Sequence, residues 1–466
     1  MEKKKIFVLL PDGVGLRNFA YSNFYDLGIK QNFEVVFWNN TPFEINDLGF
    51  PEVKIKNAKT HPLTDVYKNA RKHIELNLNI RKTKDNVYDS YRFPFSYKNF
   101  KIALKNIFTE AIIKTHNSES GLEKVRNKIK QTERKTAFYQ QSLETLKKEK
   151  PDVIFCTNQR HLSVVSPILA AQDLGIPTVT FIFSWDNLPK AMMVVETDYY
   201  FVWSDHMKKE LLFYYPYIKE NQIFVTGTPQ FEAHSDEAKI MSKESFFAKY
   251  KLETKRKYIC YSGDDVTTSP DDSKYLEDTA KAVREINKEG QNLGLIFRRC
   301  PVDFSDRYDA ILSEYSDVIV AIAPLWKKIG EAWSTIIPTK EDGDLLLNII
   351  ANTEMVINLG SSMVFDYIAF NKPCAYINYD VANKEKEDWS VEKVYKYVHF
   401  QSMPAKKAVF WIDSKEMLQT IIRDMEVEDN RKYTKEWFEK INLHPINNAS
   451  SRIIASLGKI IESNRN

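Results

Sequence analysis

Asp12 stands in Pro11-Asp12-Gly13-Val14-Gly15, directly after the apolar run of residues 6–10. A carboxylate at the end of a buried strand is placed to take a proton from a hydroxyl as a general base, or simply to cap the helix that follows. Gly13-Val14-Gly15 is not a full GxGxxG fingerprint, because Asn18 stands where the third glycine belongs, so no dinucleotide site is read there. His161 comes with Arg160 after the apolar run 153–156. It is the reserve candidate for the base, against the plainer reading of a structural histidine. The remaining candidates concern phosphate and sugar. Gly360-Ser361-Ser362 lies between an apolar strand and a helix, where backbone N–H groups and hydroxyls suit a pyrophosphate, or where serine merely caps. Asp366 follows Ser362 by about one helical turn, either to accept from a sugar hydroxyl or as a solvated carboxylate. Arg298 and Arg299 close the run 294–297; guanidinium groups suit phosphate oxygens without a metal, with a surface ion pair as the alternative. In Ser262-Gly263-Asp264-Asp265, Gly263 lets backbone approach a ligand, while the two acids suit a helix cap.

Metal chemistry is not expected. The chain has no HExxH and no Cys/His cluster, and Asp342-Gly343-Asp344 precedes an apolar helix, which reads as an N-cap region. Cys156, Cys260, Cys300 and Cys374 form no CxxC pair. That spacing argues against zinc and against a disulfide framework, and it fits a reducing compartment.

These residues need a scaffold. A chain of 466 residues is long enough for two or three domains. Apolar, β-rich runs at 6–10, 33–38, 153–156, 178–183, 199–203 and 222–226 alternate with helical patterns at 16–27, 166–174 and 205–213. A second series has strands at 258–261, 294–297, 318–321, 355–358 and 375–377, and helices at 274–288, 344–351 and 363–370. Such alternation predicts α/β architecture with parallel doubly wound sheets. The expected division is a first lobe over 1–238, a second over 239–445 beyond a polar stretch near 237–257, and a last helix within 446–466 crossing back to the first lobe. Ligands of such sheets bind outside the carboxyl ends of the strands, so two facing sheets would hold substrate in the crevice between them.

Charge is unevenly spread. The formal net charge is +3, yet residues 66–150 hold 20 Lys/Arg against 9 Asp/Glu, leaving the remainder acidic. Tyr88, Tyr91, Phe93, Phe95, Tyr97, Phe100 and Phe108 are interleaved with those cations. The block reads either as a face for an anionic membrane or as a solvated helical excursion whose aromatics pack on the first lobe. Nucleic acid is not expected as a partner, since the rest of the chain is acidic and carries no recognised binding motif. No apolar run reaches the length of a membrane span, and the run at 6–10 stops at Pro11, too early for a signal peptide. A cytoplasmic protein is expected, peripheral on the inner membrane face if the block binds lipid.

Several of these segments carry a likeness. They are Ser184-Trp185-Asp186-Asn187, Val225-Thr226-Gly227-Thr228-Pro229-Gln230-Phe231, Ile296-Phe297-Arg298-Arg299-Cys300-Pro301, and Glu341-Asp342 with Leu345-Leu346. Val356-Ile357-Asn358-Leu359-Gly360-Ser361-Ser362-Met363, with Asp366 and Lys372-Pro373, completes the set. Over roughly residues 150–460 the chain resembles GT-B superfamily glycosyltransferases of bacterial surface-polysaccharide assembly, and more loosely CDP-glycerol glycerophosphotransferases. The N-terminal third shares only the opening strand and turn. The resemblance implies two Rossmann-like domains facing across a cleft and an inverting, metal-independent transfer to a glycan or lipid-linked acceptor. It implies a nucleotide-sugar donor, UDP favoured, held by Gly263, Arg298, Arg299, Gly360, Ser361, Ser362 and Asp366. It also implies a base at Asp12 and His399 near the donor, while Arg160 and Trp185-Asp186-Asn187 follow strands 153–156 and 178–183, strand-end positions where acceptor contacts would fall. Cys300 departs from the pattern, where many such relatives carry histidine before the proline. A polyol-phosphate transferase of the CDP-glycerol type, a UDP-sugar 2-epimerase and an inactive sugar-binding scaffold are the competing readings.

Overall fold

A computed structural model describes residues 3–330, 335–425 and 430–464. The chain divides into two compact units, Met1–Pro229 with Ile441–Asn466, and Gln230–Lys440.

The first unit is built on a seven-stranded, wholly parallel sheet. Its strands are β1 (Lys4–Leu10), β2 (Phe33–Asn39), β3 (Glu52–Lys54), β4 (Val153–Cys156), β5 (Thr178–Phe181), β6 (Tyr199–Val202) and β7 (Ile223–Val225), in the order β3-β2-β1-β4-β5-β6-β7. β1 is central because Ile6 to Leu10 are each wholly buried, as strands covered on both faces must be. The sequence pattern predicts one helix over 16–27; two form instead, Val14–Phe19 and Phe24–Lys30. Ser22 Oγ donates to Asn18 O at 2.6 Å and accepts from Phe24 N at 3.2 Å. A hydroxyl that satisfies local backbone in this way ends one helix and starts the next.

Residues 66–150 supply most of four helices, Thr64–Thr83, Phe100–His116, Glu119–Glu133 and Ala137–Glu149. Asn99, Ser118 and Thr136 cap the last three by accepting from backbone N–H groups. Val66, Ala70, Ile74, Leu78, Ile112, Leu122 and Val125 form a small core of their own. Tyr139 and Leu146 join that assembly to the sheet through Phe7, Leu9, Trp38 and Ile154. The interleaved aromatics divide: Tyr88 and Tyr91 are buried, whereas Phe93, Tyr97, Phe100 and Phe108 are exposed. The C-terminal helix Ala449–Ser463 also belongs to the first unit. Lys4 pairs with Glu462 at 2.9 Å, and Leu443 N donates to Trp203 O at 2.7 Å.

The second unit repeats the plan. β8 (Lys257–Ser262), β9 (Leu293–Arg298), β10 (Ile319–Ala321), a small antiparallel pair β11 (Lys327–Lys328) and β12 (Ile336–Ile337), then β13 (Val356–Asn358), β14 (Cys374–Ile377) and β15 (Phe410–Ile412) follow in chain order. The main sheet runs β10-β9-β8-β13-β14-β15, all parallel. Where a polar connection is expected near 237–257, the helix Lys243–Tyr250 forms, capped by Ser242 and anchored by buried Phe246 and Phe247. Two adjacent aromatics among polar residues leave too short an apolar stripe to show helical period in sequence. Among the described residues no helix is long and apolar enough to cross a membrane, and all four cysteines are free.

Candidate functional site

In each sheet the strand order turns at one place. β1 lies between β2 and β4 in the first unit, and β8 between β9 and β13 in the second. The loops leaving two such neighbouring strands run to opposite sides and open a crevice at their carboxyl ends. This topology brings together residues far apart in sequence.

In the first unit it brings Asp12, after β1, to Asn158 and His161, after β4. Asp12 is 8% exposed. Its Oδ1 accepts from Val14 N at 3.1 Å, so it does shape the start of the next helix. Its Oδ2 accepts from Asn158 Nδ2 at 2.7 Å and lies 3.5 Å from His161 Nε2. The His161 ring is 39% exposed, against 11% for the Asp12 side chain. Burial pushes the His161 pKa below its ordinary value, Asp12 opposes that shift, and Arg160 and Lys68 add to it. The loop is held rigid: Asn158 Oδ1 accepts from Arg160 N at 3.0 Å, and Gln159 Oε1 accepts from Phe183 N at 3.1 Å. Trp185 is buried, Asp186 pairs with Lys190, and Asn187 Nδ2 donates to Asp186 Oδ1 at 2.8 Å.

In the second unit the crevice is lined by the loops after β8 and β13. Gly263 N donates to Arg298 O at 2.9 Å, and a Cβ there would lie 3.1 Å from Asp272 Oδ2, Phe297 Cε2 and Tyr308 Oη alike. The missing side chain therefore admits neighbours from the same unit. Asp272 is wholly buried; its Oδ2 accepts from Tyr308 Oη at 2.7 Å and from Asp264 N at 3.2 Å. Burial pushes the Asp272 carboxyl up to about 6, and burial with the neighbouring Asp272 and Asp265 raises Asp264 well above the usual range.

The two arginines diverge, as successive residues at a strand end must. Arg298 turns inward, 5% exposed, and its Nη2 donates to Asp342 Oδ2 at 2.8 Å and Oδ1 at 3.0 Å. Asp342 also accepts from Leu325 N and Trp326 Nε1. Arg299 is part-exposed, its Nη2 donates to Ser305 O at 2.8 Å, and its guanidinium lies 5.3 Å from the Tyr308 ring centre. Gly360 has φ +70°, and an added Cβ would come within 3.0 Å of Phe400 Cζ, so both backbone and space call for glycine. Ser361 N is occupied by Asn358 Oδ1 at 2.8 Å, and Ser362 begins the helix Met363–Ala369 without a side-chain cap bond. Asp366 is neither solvated nor open to the crevice: it is 5% exposed, and its Oδ1 lies 2.9 Å from His234 Nε2. The His399 ring stacks on Tyr397 at 5.9 Å.

Asn158, Asp272, Arg307 and Tyr308 are the residues that sequence reading passed over. Asn158 alone had a usable signal, as a polar residue two places after an apolar strand. Tyr308 and Arg307 come from the connection after β9, and Arg307 pairs with Asp303 at 2.7 Å while its Nη1 donates to Ser269 O at 2.6 Å. Only tertiary structure brings them to Asp272.

No protein-family model matches the sequence, and no curated protein matches it. Solved structures do. The chain is similar to S. aureus MnaA solved with UDP (TM-score 0.52, 13% identity, covering 98% of this chain and 97% of that one). It is similar to the UDP-GlcNAc 2-epimerase of Methanocaldococcus jannaschii (TM-score 0.52, 15% identity, 98% and 99%). It is likewise similar to a glycosyltransferase from Rickettsia africae (TM-score 0.50, 12% identity, 100% and 99%). With two parallel Rossmann-type sheets and likeness over the full length to both an epimerase and a glycosyltransferase, the chain has a GT-B-type fold.

Proposed function

We propose that the protein is a glycosyltransferase that moves a sugar from a nucleotide-sugar donor, UDP favoured, to a hydroxyl of a glycan or lipid-linked acceptor in cell-surface polysaccharide assembly. The observation that carries the reading is the Asp12–His161 pair, with Nε2 3.5 Å from Oδ2 at the switch point of the first sheet. His161 is the more exposed member, and burial lowers its pKa, which favours the unprotonated ring. It takes the proton of the acceptor hydroxyl, while Asp12 orients the ring and stabilises the imidazolium that forms. The deprotonated oxygen attacks the anomeric carbon from the face opposite the leaving group. The bond from that carbon to the phosphate oxygen breaks, and the nucleoside diphosphate leaves with both electrons. On the donor side Arg299 and the Gly360-Ser361-Ser362 turn, apart from the Ser361 N–H that Asn358 Oδ1 already takes, are assigned to the diphosphate, without an obligatory metal. Arg298 and Asp366, each paired within the protein, hold that side in shape.

The acceptor reading extends to a membrane. On the helix Phe100–His116, Phe100 (84% exposed), Leu104, Ile107 and Phe108 form one outward stripe at i, i+4, i+7 and i+8, with Phe93 (79%) and Tyr97 beside it. Lys98 and Lys101 flank them, also exposed. An apolar stripe edged by lysines suits the interface of an anionic bilayer.

A UDP-sugar 2-epimerase is the second reading, favoured by the full-length likeness to the M. jannaschii enzyme. Incubation with a panel of nucleotide sugars separates the two. Slow hydrolysis to free sugar and nucleoside diphosphate supports a transferase; a 2-epimeric nucleotide sugar with no hydrolysis sinks that reading. Binding without turnover of any donor would leave a sugar-binding scaffold.

A further inference from the structure

We propose that Asp303 and Arg307 are a positioning pair that shapes the donor side of the second unit before any ligand arrives, by fixing the loop after β8 together with the Arg299 guanidinium. Both residues lie in the connection after β9, ahead of the helix Asp309–Glu314. Arg307 Nε donates to Asp303 Oδ2 at 2.8 Å, and the Asp303 side chain is 1% exposed. Arg307 also takes three carbonyls of the loop after β8. Its Nη1 donates to Ser269 O at 2.6 Å and to Pro270 O at 3.2 Å, and its Nη2 donates to Asp264 O. The Asp264 N–H is held from its other side, donating to Asp272 Oδ2 at 3.2 Å.

The remaining oxygen of Asp303 serves Arg299. Asp303 Oδ1 accepts from Ser305 N at 3.0 Å and from Ser305 Oγ at 2.6 Å, and Ser305 O accepts from Arg299 Nη2 at 2.8 Å. The Tyr308 ring supports both arginines, its centre 5.3 Å from the Arg299 guanidinium and 4.7 Å from that of Arg307. Every guanidinium nitrogen of Arg307 thus has a partner inside the unit, so Arg307 orders the site and is not itself a phosphate ligand. A planar fork can hold several carbonyls and a carboxylate at once, whereas an ammonium is a single point charge. Loops ordered in advance spare the ligand the entropy of ordering them, which appears as affinity.

The assignment rests on the nucleotide-sugar donor reading of this unit, and binding tests it without turnover. Titration calorimetry on the whole protein would use uridine, cytidine, guanosine, adenosine and thymidine diphosphates; the one that wild type binds tightest is the probe. Arg307→Lys keeps a cation beside Asp303 and is expected to melt near wild type, yet to bind the probe about tenfold more weakly. Hydrogen exchange at residues 263–271 should be faster in that variant, and saturating probe should slow it in wild type. A residue that only supported the fold would lower the melting temperature and leave the affinity of the folded protein unchanged. Should Arg307→Lys misfold, Asp303→Asn replaces it with the same expectation, since it removes the charge of the pair and keeps an acceptor for Ser305. A variant that binds as tightly as wild type overturns the assignment and leaves the transferase reading standing. So does exchange at 263–271 in wild type that the probe does not alter. Wild type that binds none of the diphosphates overturns the assignment and the donor reading together.

Discussion

His161 Nε2 lies 3.5 Å from Asp12 Oδ2, although the two residues end different strands and are separated by the whole basic helical block. Asn158 Nδ2 donates to the same oxygen at 2.7 Å. The carboxylate therefore has a fixed position, and the imidazole beside it is the more exposed member of the pair. Asp12→Asn retains one oxygen to accept from Val14 N, gives up the bond from Asn158 Nδ2, and removes the charge that favours the imidazolium. Donor binding is expected to persist while turnover falls by about 10²–10⁴-fold. Steady-state rates with near-wild-type donor affinity measure this, and wild-type turnover would remove Asp12 from the reaction.

The pH profile follows from the direction of the His161 shift. Burial lowers its pKa below 6.5, and a base works while unprotonated. The acid limb of kcat/KM is therefore expected below pH 6.5, with activity maintained above it. In Asp12→Asn the opposing charge is gone while burial, Arg160 and Lys68 remain, so the ring should titrate lower still. Histidine ring NMR across pH 4–8 reads both forms. A midpoint that rises on substitution contradicts the pairing.

The adjacent arginines should separate by readout. Arg298→Ala leaves Asp342 buried without its cation and is expected to destabilise the second unit by about 3–5 kcal/mol. Arg299→Ala removes a part-exposed guanidinium held by one carbonyl. It should leave the melting temperature nearly unchanged but weaken nucleoside diphosphate binding by about 1.5–3 kcal/mol. Unaltered affinity in Arg299→Ala excludes that residue from the donor site.

Gly360→Ala tests the turn before Ser361 directly. A φ of +70° and a Cβ 3.0 Å from Phe400 Cζ both oppose the new methyl group. Chemical denaturation is expected to show a loss of about 1–2 kcal/mol. No loss would mean the turn relaxes freely and is no rigid cradle.

Membrane docking is tested on the outward stripe. Vesicles rich in phosphatidylglycerol should co-sediment the protein at low salt, and salt should release it. Lys98→Glu with Lys101→Glu, or Phe100→Ser with Ile107→Ser, should abolish binding with little effect on stability, since all four side chains are exposed. Protein that stays in the supernatant with anionic vesicles at low salt rules the surface out.

The architecture was legible in sequence because its signal is local. Runs such as Ile6 to Leu10 and Val153 to Cys156 are apolar throughout, as strands covered on both faces require, and their alternation with helices implies parallel sheets whatever the side-chain detail. Strand ends could be located in the same way, which is why Asp12, His161, Arg299 and the Gly360 turn were all named from sequence. What each side chain faces is a different matter, because it depends on partners from distant strands. Arg298 and Arg299 look equivalent in sequence, yet one pairs with Asp342 inside the protein and the other remains part-exposed. Asp366 reads as an open helix carboxylate until His234 is placed 2.9 Å away. The basic block carried its charge in plain view, but only packing decided that Tyr88 and Tyr91 go inside while Phe93 and Phe100 stay out. Backbone period and burial are properties of a segment; a contact belongs to two segments at once, and only the tertiary fold brings them together.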